Sequence, residues 1–187
     1  GAAYAIGGDH WRGNGQPQWN WMYRVVTRDF HPALGYFTYA NTAGGYLGWS
    51  RSTRYEKGPL QGQGWGTTIL YYPYLHGTGD LRTGIMPYYQ WQWRNGRTLA
   101  LQVERMREYN QDSSDVVAYF AWNTDDLYRQ GSLSVLKGVR AGGDYTYLSG
   151  GQGFRPKKDL SVRLNQEYSH LAPPSPEAYH AYQTVLT

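Results

Sequence analysis

The segment IMPYYQWQWRNGRTLALQVERMREY, residues 85–109, contains two runs of alternating side chains on either side of an Arg-Asn-Gly triplet. A two-residue Asn-Gly turn would place Arg94 opposite Arg97 and would set apolar side chains against amides. A three-residue loop of Arg, Asn and Gly shifts the parity by one and pairs Trp91 with Leu99. Because a one-residue change of register moves every side chain to the other face of a strand, the loop length decides the faces of this hairpin.

The three-residue loop gives each strand of the hairpin two consistent faces. Tyr89 then meets Leu101 and Gln92 meets Thr98, so that apolar residues face apolar residues and polar residues face polar ones. Gly96 takes the left-handed position of a type I turn followed by a bulge, where a residue without a Cβ is preferred. We therefore predict a β-hairpin with a three-residue loop.

The same alternation is found in other parts of the chain. In DLSVRLNQEYSH, residues 159–170, one parity holds Leu160, Val162 and Leu164, and polar side chains occupy the other. In WNWMYRVVT, residues 19–27, one parity holds two Trp, a Tyr and a Val. Helical periodicity is nearly absent, so alternation with a period of two is the main signal of secondary structure.

Turn-forming segments rich in Gly, Pro, Asn and Asp separate the strand-like runs and indicate roughly eight to ten strands. Their spacing favours antiparallel up-and-down connections rather than βαβ units. Pro73 and Pro87 lie inside strand-like runs, and proline has no N–H to donate to a ladder. We therefore expect bulges, an edge strand or strand ends near these two residues.

The composition is unusual in its aromatic residues, with 19 Tyr and 8 Trp against 4 Phe. Tyr and Trp are favoured where one end of the ring is apolar and the other meets water, as at membrane interfaces, protein interfaces and sugar-binding sites. A dry soluble core would draw on Val, Ile, Leu and Phe before Tyr. The chain has only Ile6, Ile69 and Ile85, which argues against a large dry interior.

Several classes of function are disfavoured by what the sequence lacks. The chain has no Cys, which excludes a disulfide framework, a thiolate metal site and a cysteine nucleophile. Its net charge is +4, but the basic residues are spread thinly, so we expect no nucleic-acid partner. No segment reaches the roughly 18 consecutive apolar residues of a membrane helix, a test that is blind to membrane-spanning strands.

No group of residues indicates catalysis or metal binding. Glu104 and Glu108 share a strand face, but residues four apart on a strand lie about 13 Å apart, too far for the carboxylate pair of a glycosidase. The five histidines form no metal-binding pair, and the Gly-rich patches lack the context of a phosphate-binding loop. We therefore predict no catalytic, cofactor-binding or metal-binding residues and expect a protein that is not an enzyme.

Aromatic residues near the predicted strand ends have three interpretations. In a transmembrane barrel they would form the girdles at the level of the lipid headgroups. In a soluble module they would stack on sugars, and in an ordinary sandwich they would fill the core. The first interpretation is favoured, because the residues for a dry core are scarce. The candidate girdle residues are Trp19, Trp21, Tyr71, Tyr72, Tyr74, Trp91 and Trp93.

The stretch TRDFHPALGYFTYANTAGGYLGWS, residues 27–50, resembles a recurring element of a family of bacterial outer-membrane β-barrels of unassigned function. In that family the barrel lies behind a carbohydrate-binding-module family 9-like N-terminal domain. Its strands end in a D-x-F-x-P-x-x-G-[FY] turn, which Asp29, Phe30, Pro32, Gly35 and Tyr36 resemble, with Asp29 and Phe30 adjacent in this chain. The segment GGDYTYLSGGQGFRPKKDLSVRLNQEYSHLAPP, residues 142–174, looks like a later hairpin and strand of the same barrels. The resemblance implies a barrel fold and transfers no catalytic residues.

Together these observations predict an all-β fold: an antiparallel up-and-down transmembrane β-barrel, of which roughly eight to ten strands are present. We interpret residues 1–187 as a single barrel domain or as a fragment of a larger barrel, since both ends of the sequence look cut. The candidate lipid face consists of Tyr89, Trp91, Leu99, Leu101, Val103, Leu160, Val162 and Leu164. The candidate lumen face consists of Gln90, Gln92, Gln102, Glu104, Arg163, Asn165 and Glu167.

The function expected from this interpretation is passive. The chain would act in the outer membrane of a Gram-negative bacterium as a porin-like pore, a transport component or a surface anchor. Its partners would be membrane lipid or detergent and further strands or chains of the same assembly, and the family's fused domain implies a saccharide by analogy. No cofactor is expected. The alternative is a soluble, extracellular, aromatic-rich β-module that binds glycans.

Overall fold

A computed structural model describes most of the chain, namely residues 1–29, 40–77, 80–126, 128–140, 142–157, 160–174 and 178–186. Within these residues the chain forms eleven β-strands and no helix. The strands are β1 Ala3–His10, β2 Pro17–Val26, β3 Thr42–Arg54, β4 Leu60–Pro73, β5 Asp80–Trp93, β6 Arg97–Glu108, β7 Gln111–Trp122, β8 Gly131–Arg140, β9 Gly143–Lys157, β10 Leu160–Leu171 and β11 Tyr179–Leu186.

All of these strands belong to one antiparallel sheet, in which each strand pairs with its neighbours in the sequence. The predicted all-β, up-and-down architecture is therefore confirmed. The described strands exceed the predicted range by one, because the segment AYAIGGDH of β1 has no clear alternation. The sheet is open: β1 and β11 are its edges, and the described residues show no pairing between them.

The predicted three-residue hairpin loop is confirmed by the register of β5 and β6. Trp93 pairs with Arg97 and Trp91 pairs with Leu99. Gly96 has a φ of 70°, in the left-handed region, and its N–H donates to the Trp93 carbonyl at 3.2 Å. This loop marks the end of the sheet that we call the upper end. The next hairpin turn, residues 109–110, lies at the lower end.

The two prolines interrupt ladders as expected from their missing N–H. Pro73 is the last residue of β4, and the register of β4 and β5 shifts between Tyr72 and Pro73. Pro87 pairs with Thr67 on β4, but the ladder from β5 to β6 lapses at Met86 and Pro87.

Register assigns the strand residues to two faces, because partners in an antiparallel ladder project to the same side of the sheet. One face carries Trp91 and Leu99, and the other carries Gln92 and Thr98. The sheet curves, since its buried non-glycine side chains lie on the second face, which we call the concave face; the first is the convex face. The buried residues assigned in this way are Val26, Thr42, Leu70, Tyr72, Asp115, Ala121, Tyr145 and Leu171.

A small apolar cluster lies near the lower end of the concave face. Its centre consists of Leu70, Tyr72 and Leu81, which are at most 7% exposed. Half-buried side chains from several strands surround this centre: Met22, Tyr46, Tyr74, Met86 and Met106. Most of the described sheet therefore holds together through its ladders rather than through a deep core.

One close approach explains a glycine on the concave face. Gly138 on β8 pairs with Asp115 on β7. A Cβ at Gly138 would lie 2.0 Å from Asp115 Oδ1 and 2.3 Å from the Ser114 carbonyl oxygen. The buried carboxylate thus fills the space that a side chain at residue 138 would need.

We expect Gly138→Ala to lower the free energy of unfolding by about 1–3 kcal/mol, because the added methyl group displaces the Asp115 carboxylate and the β7 backbone. Gly150→Ala on β9 is the matched control, since a Cβ there would lie 3.6 Å from its nearest neighbour, the Ser132 carbonyl oxygen. Its effect should stay within about 0.5 kcal/mol. Urea unfolding followed by tryptophan fluorescence measures both variants, and equal losses of stability would contradict this account of the packing.

Candidate functional site

The residues predicted to face lipid lie together on the convex face of the sheet. Leu101 and Leu160 are 40% and 49% exposed, and Leu99 and Leu164 are half-buried. Leu160 lies beyond a register shift but shares the parity of Val162. The structure therefore brings these residues of two distant hairpins onto one surface: Tyr89, Trp91, Leu99, Leu101, Val103, Leu160, Val162 and Leu164.

The residues predicted to face a lumen lie together on the concave face. They come from β5, β6 and β10, and the ladders that join these strands place them on one side: Gln90, Gln92, Gln102, Glu104, Arg163, Asn165 and Glu167. Their neighbours on this face include many Ser and Gly residues of β8 and β9. The sheet thus has one mainly apolar and one mainly polar surface.

The candidate girdle residues divide between the two faces. The convex face carries five of them: Trp19, Trp21, Tyr71, Trp91 and Trp93. Tyr72 is only 7% exposed and lies on the concave face, where Tyr74 packs against the same cluster. Neither ring can therefore meet a lipid boundary on the convex side. The run TTILYYPYL is apolar on both parities, so the sequence alone could not separate these rings.

Two further tryptophans extend the aromatic surface. Trp49 on β3 packs its ring 6.1 Å from that of Trp19, and Trp65 on β4 approaches Trp49 edge-on at 4.5 Å. All three rings lie on the convex face. The sequence prediction omitted Trp49 and Trp65, although their cross-strand partners would have revealed them once the register was known.

The apolar band on the convex face runs at a slant to the hydrogen-bonded rows. A single row of cross-strand partners joins Tyr168 on β10 to Pro17 on β2. Leu164 lies four residues above this row, whereas Trp21 lies four residues below it. A drift of about one residue per strand, at about 3.3 Å per residue and about 4.8 Å between strands, corresponds to strands tilted by roughly 35° from the perpendicular to the band. Strands of membrane barrels tilt by about 35–45°.

Charged side chains bound the band above and below. On β6 the convex-facing series begins at Arg97, continues through three apolar residues and then reaches Arg105. These arginines lie about 26 Å apart along the strand, or about 22 Å across the band after correction for the tilt. Arg51 and Arg97 mark the upper limit of the band, and Arg105 and Lys137 mark its lower limit. Between these two levels, the convex face of the described strands carries no Asp, Glu, Lys or Arg.

The convex-facing aromatic residues are sorted by level. Corrected for the same tilt, most tryptophans lie toward the upper arginines and several tyrosines toward the lower ones, whereas Trp21 and Tyr89 lie near the middle of the band. The upper group is Trp19, Trp49, Trp65, Trp91, Trp93 and Trp122, and the lower group is Tyr71, Tyr168 and Tyr182. Rings with one polar end are thus placed mostly where the apolar band meets the charged margins.

The predicted turn motif lies mostly outside the described residues. Asp29 is an exposed turn residue just after β2. The other members of the motif, Phe30, Pro32, Gly35 and Tyr36, fall outside the described part of the chain.

An ion pair between a buried carboxylate and a half-exposed guanidinium lies on the lower half of the concave face. Asp115 is 2% exposed, and its Oδ2 accepts hydrogen bonds from Nε and Nη2 of Arg140 at 3.0 and 2.8 Å. The Arg140 guanidinium also lies over the Tyr145 ring, 4.1 Å from its centroid. This pair joins β7, β8 and β9, and it lines a cavity of about 520 Å³ together with Glu104 and other side chains.

The described residues contain no group of three or more His, Asp or Glu positioned to hold a metal ion. No helix in the same part of the chain is long and apolar enough to cross a membrane. Comparison of the chain with protein-family models, with curated proteins and with solved structures gives no match. The function is therefore inferred from the two faces of the sheet.

Arg140→Gln should lower the free energy of unfolding by about 3 kcal/mol, because it leaves the buried Asp115 carboxylate without its partner. Adding Asp115→Asn should recover most of that loss, since the unpaired charge is then removed. Arg107→Gln is the control. Nε of Arg107 lies 3.9 Å from Oδ1 of Asp112, and the two side chains are 52% and 85% exposed. Its effect should not exceed about 0.5 kcal/mol. Additive losses in the double variant would argue against a coupled pair.

Proposed function

We propose that the chain is part of an antiparallel β-barrel that spans the outer membrane of a Gram-negative bacterium. The observation that carries this proposal is the band of uncharged side chains on the convex face. Its height of about 22 Å is close to the apolar belt of about 25 Å around outer-membrane barrels. The slant of the band agrees with the strand tilt of such barrels, and the aromatic margins are placed where headgroups would lie.

A soluble β-module accounts less well for the same surface. Large apolar side chains are exposed from Ile6 on β1, at 63%, to Leu186 on β11, at 69%. Soluble monomers rarely expose continuous apolar patches of more than a few hundred Å². The concave face cannot serve as their dry core either, because Gln, Ser, Arg and Glu side chains line it. A barrel suits both faces, because its convex face meets hydrocarbon and its concave face meets water.

The open edges imply further strands. Since eleven strands alternate in direction, β1 and β11 run the same way and would meet as a parallel pair. Bacterial barrels contain an even number of antiparallel strands, and lipid offers no hydrogen-bond partner to a free edge. We therefore propose that at least one further strand, from the same assembly, lies between β1 and β11.

The role of the assembly is passive in this proposal: a pore, a transport component or a surface anchor. The polar concave face, with its cavities, favours a pore or transport component over a simple anchor. Lipid is the partner of the convex face, and no step of covalent chemistry is assigned to any residue. The resemblance to barrels that follow a carbohydrate-binding-module-like domain supports a link to saccharides.

The proposal is tested by placing one charge on each face of the same strand. Leu101→Arg puts a guanidinium near the middle of the convex band, and Gln102→Arg puts one on the concave face beside Glu104. In lipid vesicles, Leu101→Arg should cost about 2–4 kcal/mol of unfolding free energy. Gln102→Arg should stay within about 1 kcal/mol, because its charge meets water. Urea titration of vesicle-reconstituted protein measures both values.

The soluble alternative gives the opposite result. Leu101 is 40% exposed, so in a soluble sheet an arginine there would be tolerated as well as one at Gln102. Equal stabilities of the two variants, together with a chain that stays folded in buffer without detergent, would overturn the membrane proposal.

A further inference from the structure

A cavity of about 370 Å³ lies on the concave face near the upper end of the sheet, between β3, β4 and β5. Its volume is within the range of about 300–1,000 Å³ that is usual for ligand sites. Polar side chains surround it, and Arg54 is the only charged residue among the described residues that line it. These described lining residues include no carboxylate.

The space exists because β4 carries glycines at successive concave-facing positions. Gly62 pairs with Gln92, and Gly64 pairs with Gln90. Without side chains on β4, the flanking strands β3 and β5 border a trough about 10 Å wide, which corresponds to two strand spacings. The Oε1 atom of Gln92 reaches over this floor, to within 3.8 Å of where a Gly62 Cβ would be.

The walls of the trough consist of amides and hydroxyl groups. Ser52 lines one side, and Tyr88, Gln90 and Gln92 line the other. Each amide offers both donors and an acceptor, and each hydroxyl can donate and accept. These groups can therefore bind a hydroxyl group whichever way its proton points.

A loop residue holds the upper end of the trough in place. Asn14, between β1 and β2, donates from Nδ2 to the Arg54 carbonyl at 3.1 Å, and its Oδ1 accepts from the Arg54 N–H. Arg51 also donates from Nε to the Gly15 carbonyl at 2.7 Å. The loop is thus fixed to β3, and Asn14 presents an amide at the rim of the cavity.

We propose that this trough binds an uncharged, polyhydroxylated solute, namely a short saccharide chain. The inference depends on the proposed function only in that the concave face meets water. Amides and hydroxyl groups match the hydroxyl groups of a sugar, and the exposed backbone of the glycine floor lets a ring approach closely. An ion is a poorer fit, because the lining offers a single cationic side chain and no carboxylate.

The test uses the full chain in a zwitterionic detergent that has no sugar headgroup. Maltohexaose and cellohexaose serve as neutral probes in isothermal titration calorimetry, and hexagalacturonate serves as the anionic comparison. At least one neutral probe should bind, and hexagalacturonate should bind more weakly. Gly64→Leu should reduce the affinity at least tenfold, because its side chain fills the trough. A Cβ at Gly64 meets nothing closer than 3.8 Å, so the fold should tolerate the change.

Gly150→Leu is the matched control, since it makes the same substitution on the convex face, where a Cβ meets nothing closer than 3.6 Å. Its affinity for the probe should equal that of the unaltered chain. Gln90→Leu keeps the size of the side chain but removes its hydrogen bonds, and it should weaken binding by about fivefold.

Two results would overturn the saccharide site. One is that neither neutral probe binds, including the case in which the anionic probe alone binds. The other is binding that Gly64→Leu leaves unchanged. Failure of the membrane proposal is seen separately, as equal stability of the Leu101→Arg and Gln102→Arg variants, which involves no sugar.

Discussion

The pairing of neighbouring strands is the constraint on which the rest of the structure depends. Cross-strand partners project to the same side, so the register of each ladder determines which residues of the next strand lie on each face. With eleven strands joined in one order, a slip of a single residue would exchange the faces of every strand beyond it. The three-residue loop that ends at Gly96 fixes the register between β5 and β6, at the centre of the sheet.

The energetics of such a sheet differ from those of a soluble domain. Among the described residues, the apolar cluster around Leu70 and Leu81 is small, and many large apolar side chains are exposed on the convex surface. Within the sheet, stability comes from backbone hydrogen bonds, from the Asp115–Arg140 pair and from ring contacts across strands. Unpaired backbone groups are costly in hydrocarbon, so the same ladders would contribute more to stability in the membrane setting that we propose.

Glycine residues on the concave face leave space for other groups. At Gly138 the missing side chain makes room for a buried carboxylate, and at Gly62 and Gly64 it opens a trough lined by amides. A concave surface has less room for side chains than a convex one, and glycines decide where space remains. The polar face is therefore shaped by absent side chains as much as by those present.

Local sequence patterns were enough to predict the alternation of the strands, the up-and-down order and the hairpin loop, because each depends on residues close together in the chain. Strands that are apolar on both parities, such as the one containing Tyr71 and Tyr72, could not be oriented in this way, and Trp49 and Trp65 were missed. The slant of the apolar band, the pairing of Asp115 with Arg140 and the trough above Gly64 could be recognised only in the assembled sheet. These features depend on the registers of many strands at once, and a local sequence pattern does not contain the combined register of the sheet.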